Sequence, residues 1–404
     1  GPTVEFKSHE DGNIITTFPI TVEGTASDEG SGVNTEEGVF KLIQGSTTVE
    51  SGKLNIQANG IWNGSIVGKN LTEGEYELQV TIKDKAGYDD TSAVTVEYDK
   101  ALPQLIVTEP SGNSVITNGN VVISGKSWDT YGLKENGSVV ITLKDANANI
   151  VRSFTPEVAK TTSEPTDNNW EETIEVGEGK SIKTDGKYTV EIKAVDKVGK
   201  ESVIKTINVD VDTTKPIVGS SIIVPTSTQT EGTSFKFNGI SSDGEGTGVE
   251  KVEISFDEET WVEAVGTSVW TYTSIFSEEK TFETDGAKTI YVRATDGAGN
   301  ESEVRSGMFV FDSSRPEGKI KNEEGVEITG KSFFVGGEFT LNVDTKDKYS
   351  VSKIELTQTK DGNDLKTYTQ EVEGKEVTTA ISRLPLRTDG TEIETGNYEY
   401  KVVV

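Results

Sequence analysis

The stretch that decides the fold is TDGKYTVEIKAVDKVGKES, residues 184–202. Between an Asp-Gly turn and a second turn at Gly199, the apolar residues Tyr188, Val190, Ile192 and Ala194 alternate with polar ones such as Glu191 and Lys193. A period of two marks a strand with one buried face. The stretch recurs as GEYELQVTIKDKAG (74–87) and GAKTIYVRATDGAGN (286–300), which bring Asp84, Asp196 and Asp296 into register 112 and 100 residues apart, and the chain closes on a fourth copy, GNYEYKVVV (396–404). A repeat of that length is a tandem array of whole domains, not a solenoid of short units.

Two further anchors follow the same period. In VEGTASD, ISGKSWD and FNGISSD, an aspartate (Asp28, Asp129, Asp243) lies four residues after a glycine; the fourth copy, LNVDTKD, offers Asp344 or Asp347. In VEYDKALPQL, VDVDTTKPIV and VFDSSRPEGK, an aspartate (Asp99, Asp212, Asp312) stands four residues before a proline. These linkers predict four units, 1–100, 101–213, 214–313 and 314–404, with the last expected to stop just before its own counterpart of Asp296.

Short alternating strands separated by Gly, Asn, Asp and Ser turns, with no sustained helical period, predict an all-β chain. The expected architecture is four tandem immunoglobulin-like antiparallel β-sandwich domains in an extended array. A tyrosine placed just after the turn, at Tyr76, Tyr188 and Tyr398 but replaced by Lys288 in the third copy, matches the corner that ties down such sandwiches. DGKYTVEIKAVDKVGKES, RATDGAGNES, GVEKVEISFD and VDTTKP together resemble the tandem bacterial immunoglobulin-like domains of cell-surface proteins and adhesins. That resemblance spans all four units and implies an extracellular location, on the cell surface or secreted.

Composition narrows the function classes. Thirty-nine basic against 68 acidic residues give a net charge of −29, which argues against nucleic acid or an anionic membrane surface as partner. Neither a signal peptide nor an apolar run long enough to span a bilayer is expected in this stretch. With no cysteine and a single histidine, His9, cysteine-histidine zinc sites and thiol chemistry are excluded by count, and a Ser-His-Asp machine would depend on that one ring. GEGKSI at 177–182 lacks the earlier glycine of a phosphate-binding loop and reads as a hairpin turn. The expectation is no enzyme.

In such a sandwich, the linker before a domain and the loops after its second and sixth strands lie at one end. Asp99, Asp129 and Asp196 are therefore expected to converge, as are Asp212, Asp243 and Asp296 with Asp210 nearby, and Asp312 with Asp347. Gathered carboxylates repel one another unless a cation lies among them, and oxygen ligands from several loops suit Ca²⁺. The alternative is that each aspartate caps its own turn.

Trp128, beside Asp129, is the candidate for stacking on a sugar ring; Trp170 and Trp270, each 15 residues before an Asp-Gly turn, read as core. The polar insertion 157–170 is the longest loop and a second candidate for ligand contact. The function expected is a non-enzymatic stalk of an adhesin, roughly 150 Å long if four sandwiches of 7- to 10-residue strands stand in line. Its partners would be neighbouring domains of the same kind in a longer chain. Alternatives are a module for a glycan or host protein, a surface-lattice protein, and an accessory region of a secreted carbohydrate enzyme.

Overall fold

In the computed structural model, the strand Gly186–Ala194 carries Val190, Ile192 and Ala194 fully buried, as the period of two requires. The structure describes residues 1–158, 168–226, 229–230, 234–275, 282, 285–332, 337–384 and 398–404. Every regular element among them is a strand. Among the described residues, no helix is long and apolar enough to cross a membrane. The chain divides into two compact units, Gly1–Thr213 and Thr214–Val404. Four hydrophobic cores draw respectively on residues 4–98, 105–211, 218–311 and 320–404.

The second core shows the plan. One sheet runs Gln104–Glu109, Val121–Trp128, Asn169–Ile174; the other runs Ser114–Thr117, Lys205–Val211, Gly186–Ala194, Val139–Lys144, Ile150–Phe154. The third core repeats this order strand for strand, and the first adds one short strand, Asn55–Ile56, to its smaller sheet. This is immunoglobulin-like connectivity.

The sheets are antiparallel as expected, but for one parallel strand pairing in each of the first three sandwiches. Ser114–Thr117 pairs parallel with Lys205–Val211, as do Asn13–Ile15 with Asp89–Tyr98 and Gln229–Thr230 with Arg305–Asp312. In the second sandwich the first strand leaves the small sheet at a break, Pro110 to Asn113, and the chain continues beside the last strand.

The repeated glycines and tryptophans explain one another. Gly24, Gly125 and Gly239 face Trp62, Trp170 and Trp270 directly across the small sheet. A Cβ at Gly125 would stand 2.4 Å from the Trp170 ring and 2.1 Å from the Ile106 carbonyl. The glycine leaves room for the indole, and all three tryptophans are buried. The corner tyrosines also behave as expected: the Tyr76 hydroxyl donates to the Thr72 carbonyl (2.7 Å) and that of Tyr188 to Thr184 (2.8 Å). Lys288 instead sets its ammonium over the Phe282 ring.

The fourth sandwich departs from the others. Two 22-residue strands, Phe339–Lys360 and Asn363–Leu384, pair along most of their length through several register shifts, and Tyr398–Val403 adds to the first. Between Asp347 and Val351 the chain has no glycine or proline to break the strand, unlike SDGEGTG at 242–248 in the third copy.

Candidate functional site: the carboxylate group at the first linker

Asp129 and Asp196 first serve their own turns. Asp196 follows the strand Gly186–Ala194, and its Oδ1 accepts from the amides of Val198 (2.9 Å) and Lys200 (2.8 Å). Asp129 follows Val121–Trp128 and accepts from the Tyr131 amide (2.9 Å). Asp99 ends the last strand of the first sandwich, its amide donating to the Ile15 carbonyl (2.9 Å). An Asx turn uses one carboxylate oxygen and leaves the other available.

The topology then brings the three together, with one oxygen of each within 4.8 Å of the others. Asp99 and Asp196 are 1% exposed and Asp129 is half-buried. Burial pushes the Asp129 carboxyl above its ordinary pKa, and the charges of Asp99 and Asp196 add to this, against opposing pulls from the Tyr131 amide and, less strongly, Lys200. The second oxygen of Asp196 is buried with no hydrogen-bond partner.

Two residues that the spacing pattern does not single out complete the site. Lys200 Nζ donates to Asp99 Oδ1 (2.9 Å), to the Asp99 carbonyl (2.5 Å) and to the Ala101 carbonyl (3.3 Å). Glu73, in the turn that opens the strand Gly74–Asp84, accepts from the Lys100 amide (2.9 Å) and from the Ala101 amide. The linker is thus held from the first sandwich by Ile15 and Glu73 and from the second by Lys200. The signal for Glu73 was available in the sequence: Asp185 and Asp285 occupy the same place before the turn glycine. Asp185 accepts from the Thr213 hydroxyl (2.8 Å), and Asp285 from the Ser313 amide (2.8 Å) and hydroxyl (2.7 Å). Those Ser313 bonds hold the Asp285 carboxyl below the usual carboxylate range.

The other candidate aspartates fall into place as follows. Within the unit from Thr214 onward, Asp243 and Asp296 are buried with carboxylate oxygens within 4.8 Å of each other. Asp296 Oδ1 accepts from the Ala298 and Asn300 amides (2.9 and 2.8 Å), while the Asn300 side-chain amide donates to Asp296 Oδ2 (2.8 Å) and to the Thr214 carbonyl (3.2 Å). Asp212, the sequence counterpart of Asp99, is buried, its amide donating to the Thr117 carbonyl (3.0 Å).

Asp210 is instead engaged in a surface ion pair with Lys187 (3.1 Å). Asp312 accepts from Ser314 and Asp347 from Tyr349 and Ser350. Both are buried, and no group of three metal-binding side chains forms around them among the described residues. Asp344 faces outward to Lys321, so Asp347 is the fourth copy's equivalent of Asp129.

Trp128 is half-buried at the end of its strand, opposite Gln104. Most of the polar insertion, 159–167, lies outside the described residues. His9 meets the neighbouring Ser8 hydroxyl (2.8 Å), and partial burial lowers its pKa.

Fold and linker geometry define a tandem of immunoglobulin-like sandwiches joined by structured linkers. No family model matches the chain, and no curated protein sequence matches it. Among solved structures it is similar to the tetra-tandem repeat in the extending region of a large adhesion protein, with 18% identity over 95% of each chain and a TM-score of 0.30. It is similar also to a 1.5-MDa bacterial ice-binding adhesin, at 16% identity over 78% of this chain and 98% of that one, TM-score 0.33. The fibronectin(III)-like modules of Clostridium thermocellum CbhA align at 15% identity over 52% and 94%, TM-score 0.27.

Proposed function

We propose that this chain is a non-enzymatic spacer from a bacterial adhesin, displayed at the cell surface or secreted, in which the linker between the first two sandwiches is a fixed joint and not a tether. The observation that carries this is the grip on residues 99–101: three backbone amides and the Asp99 carboxylate are all bonded, to partners on both sandwiches. A flexible linker of Gly and Ser leaves its backbone to water. Here the backbone is spoken for, which restricts bending and suits a part that transmits position or force.

Calcium is the ion we propose for the metal-binding joints. Ca²⁺ takes about six to eight oxygen ligands in adaptable geometry. Asp243 and Asp296, with the Thr214 carbonyl and the Asn300 amide oxygen once that side chain turns, would offer it oxygen ligands within one unit. Bound there, the ion would neutralise carboxylates that otherwise repel. Asp312 and Asp347 are the corresponding residues one repeat on. The Asp99 group already holds the Lys200 ammonium.

The test is small-angle scattering of the full chain in EDTA and in millimolar Ca²⁺, with calorimetric titration alongside. A maximum dimension that grows with calcium, and a heat of binding lost in Asp296→Asn, are the expected results. No change in either removes calcium from the account. A compact profile under both conditions overturns the spacer itself.

A further inference from the structure

We propose that Lys200 is a cation built into the joint between the first and second sandwiches, so that this joint closes without metal. The proposal rests on the spacer reading but goes beyond it, because it divides the joints into metal-free and metal-dependent kinds.

The ammonium sits in a shell of oxygens, two carbonyls and one carboxylate, all from linker residues Asp99 and Ala101. These are hard oxygen donors of the kind a bound cation takes. The Lys200 side chain is 19% exposed and that of Asp99 2%. An unpaired carboxylate so placed would be heavily penalised, and a hydrogen-bonded counter-charge removes most of the penalty. The lysine is carried by the turn that Asp196 caps, so cation and carboxylate are positioned by the same few residues.

Three carboxylates and one ammonium leave two formal negative charges, and the bare Asp196 oxygen shows where a ligand atom remains. A calcium ion entering here would have to displace the ammonium from Asp99 or share the site with a like charge. In the equivalent turn of the third sandwich the residue is Asn300, neutral and able to offer an oxygen. Lysine at this position therefore closes the joint permanently; asparagine leaves the closing to an ion.

The absence of cysteine allows a clean test in the full chain. Thr48→Cys and Glu178→Cys, both exposed, place one spin label on each of the first two sandwiches for electron–electron distance measurement. The parent is expected to give one narrow distance distribution in EDTA, unchanged by millimolar Ca²⁺. Lys200→Asn should give a distribution at least about twofold broader in EDTA, restored by Ca²⁺. Lys200→Met, which keeps the aliphatic stem, should stay broad in both. Fluorescence of the buried tryptophans checks that the variants are folded.

A parent that broadens in EDTA, or a Lys200→Asn variant as narrow as the parent in EDTA, overturns the role of Lys200 while leaving the spacer standing. Broad distributions for every protein under every condition would instead mean that the linker is a tether, and the spacer reading itself would fall.

Discussion

Two turns one hundred residues apart, VDKVGKES at 195–202 and TDGAGNES at 295–302, are built on the same bonds. The Asp196 and Asp296 amides donate to the carbonyls of residues 200 and 300 (3.0 and 3.1 Å), and each Oδ1 caps the amides two and four residues on. Ser202 and Ser302 close the turns on Ala194 and Ala294 with matching 2.9 Å bonds. Gly199 and Gly299 both take positive φ, near 90°, where a side chain would be strained. What differs is the side chain at the fifth turn position after that shared frame is set: a lysine reaching the linker in one, an asparagine bonding Asp296 and Thr214 in the other. Turn chemistry fixes where the carboxylates stand, and in the proposed reading the residue at that position sets which cation answers them.

If the frame is shared, its largest supports should be interchangeable in cost. Trp170→Ala and Trp270→Ala each remove a buried indole packed on a glycine, and each should destabilise its sandwich by about 3–5 kcal/mol in chemical denaturation. A markedly smaller loss at one position would mean the two cores are not equivalent. Next, Asp196→Ala and Asp296→Ala each strip two charge-assisted bonds from the backbone amides of the turn, for an expected loss of roughly 2–3 kcal/mol each in EDTA from that shared frame. Unequal losses would break the claim that the turns are one scaffold.

The cation difference gives a sharper and smaller effect. Asn300→Lys places an ammonium in the turn proposed to bind calcium and should weaken Ca²⁺ binding by about tenfold or more in calorimetry, a change of about 1.4 kcal/mol per tenfold. Unaltered affinity would show that residue 300 lies outside the metal's shell.

Much of this comparison was legible in the sequence, and the reasons are local. Asp28, Asp129 and Asp243 stand out because a strand ends at a turn, and turn residues are read over a few positions. Gly125 and Trp170 recur because a cross-strand pair demands both. Lys200 did not declare itself, since it acts on a backbone that returns from elsewhere, on a carboxylate 101 residues earlier. A long side chain among 39 basic residues carries no mark of its reach. The parallel pairings escaped for a similar reason, because alternation gives a strand's faces and not its neighbour.

The smallest expected effect lies in the hairpin turns of the same two sandwiches. Asp145 accepts from Asn147 and Asn149, and Asp257 from Ser255, Glu259 and Thr260. These bonds favour the charged form, lowering Asp145 and bringing Asp257 down to about 2, with the Thr260 amide as its largest cause. A folded-state pKa below the unfolded one contributes stability that is present near neutral pH. That contribution is lost as pH falls from the ordinary carboxylate range toward the folded value. Carboxyl-carbon NMR titration should show Asp257 ionised well below pH 3; an ordinary midpoint would mean the turn is open in solution.

The most direct test of the account is hydrogen exchange across residues 97–105 of the full chain in EDTA, resolved to single amides. The account predicts that the Asp99, Lys100 and Ala101 amides, bonded to Ile15 and Glu73, exchange slowly, on the scale of the flanking strand amides. Exchange at the rate of an open loop would mean that the linker is not held, and the fixed joint would be contradicted.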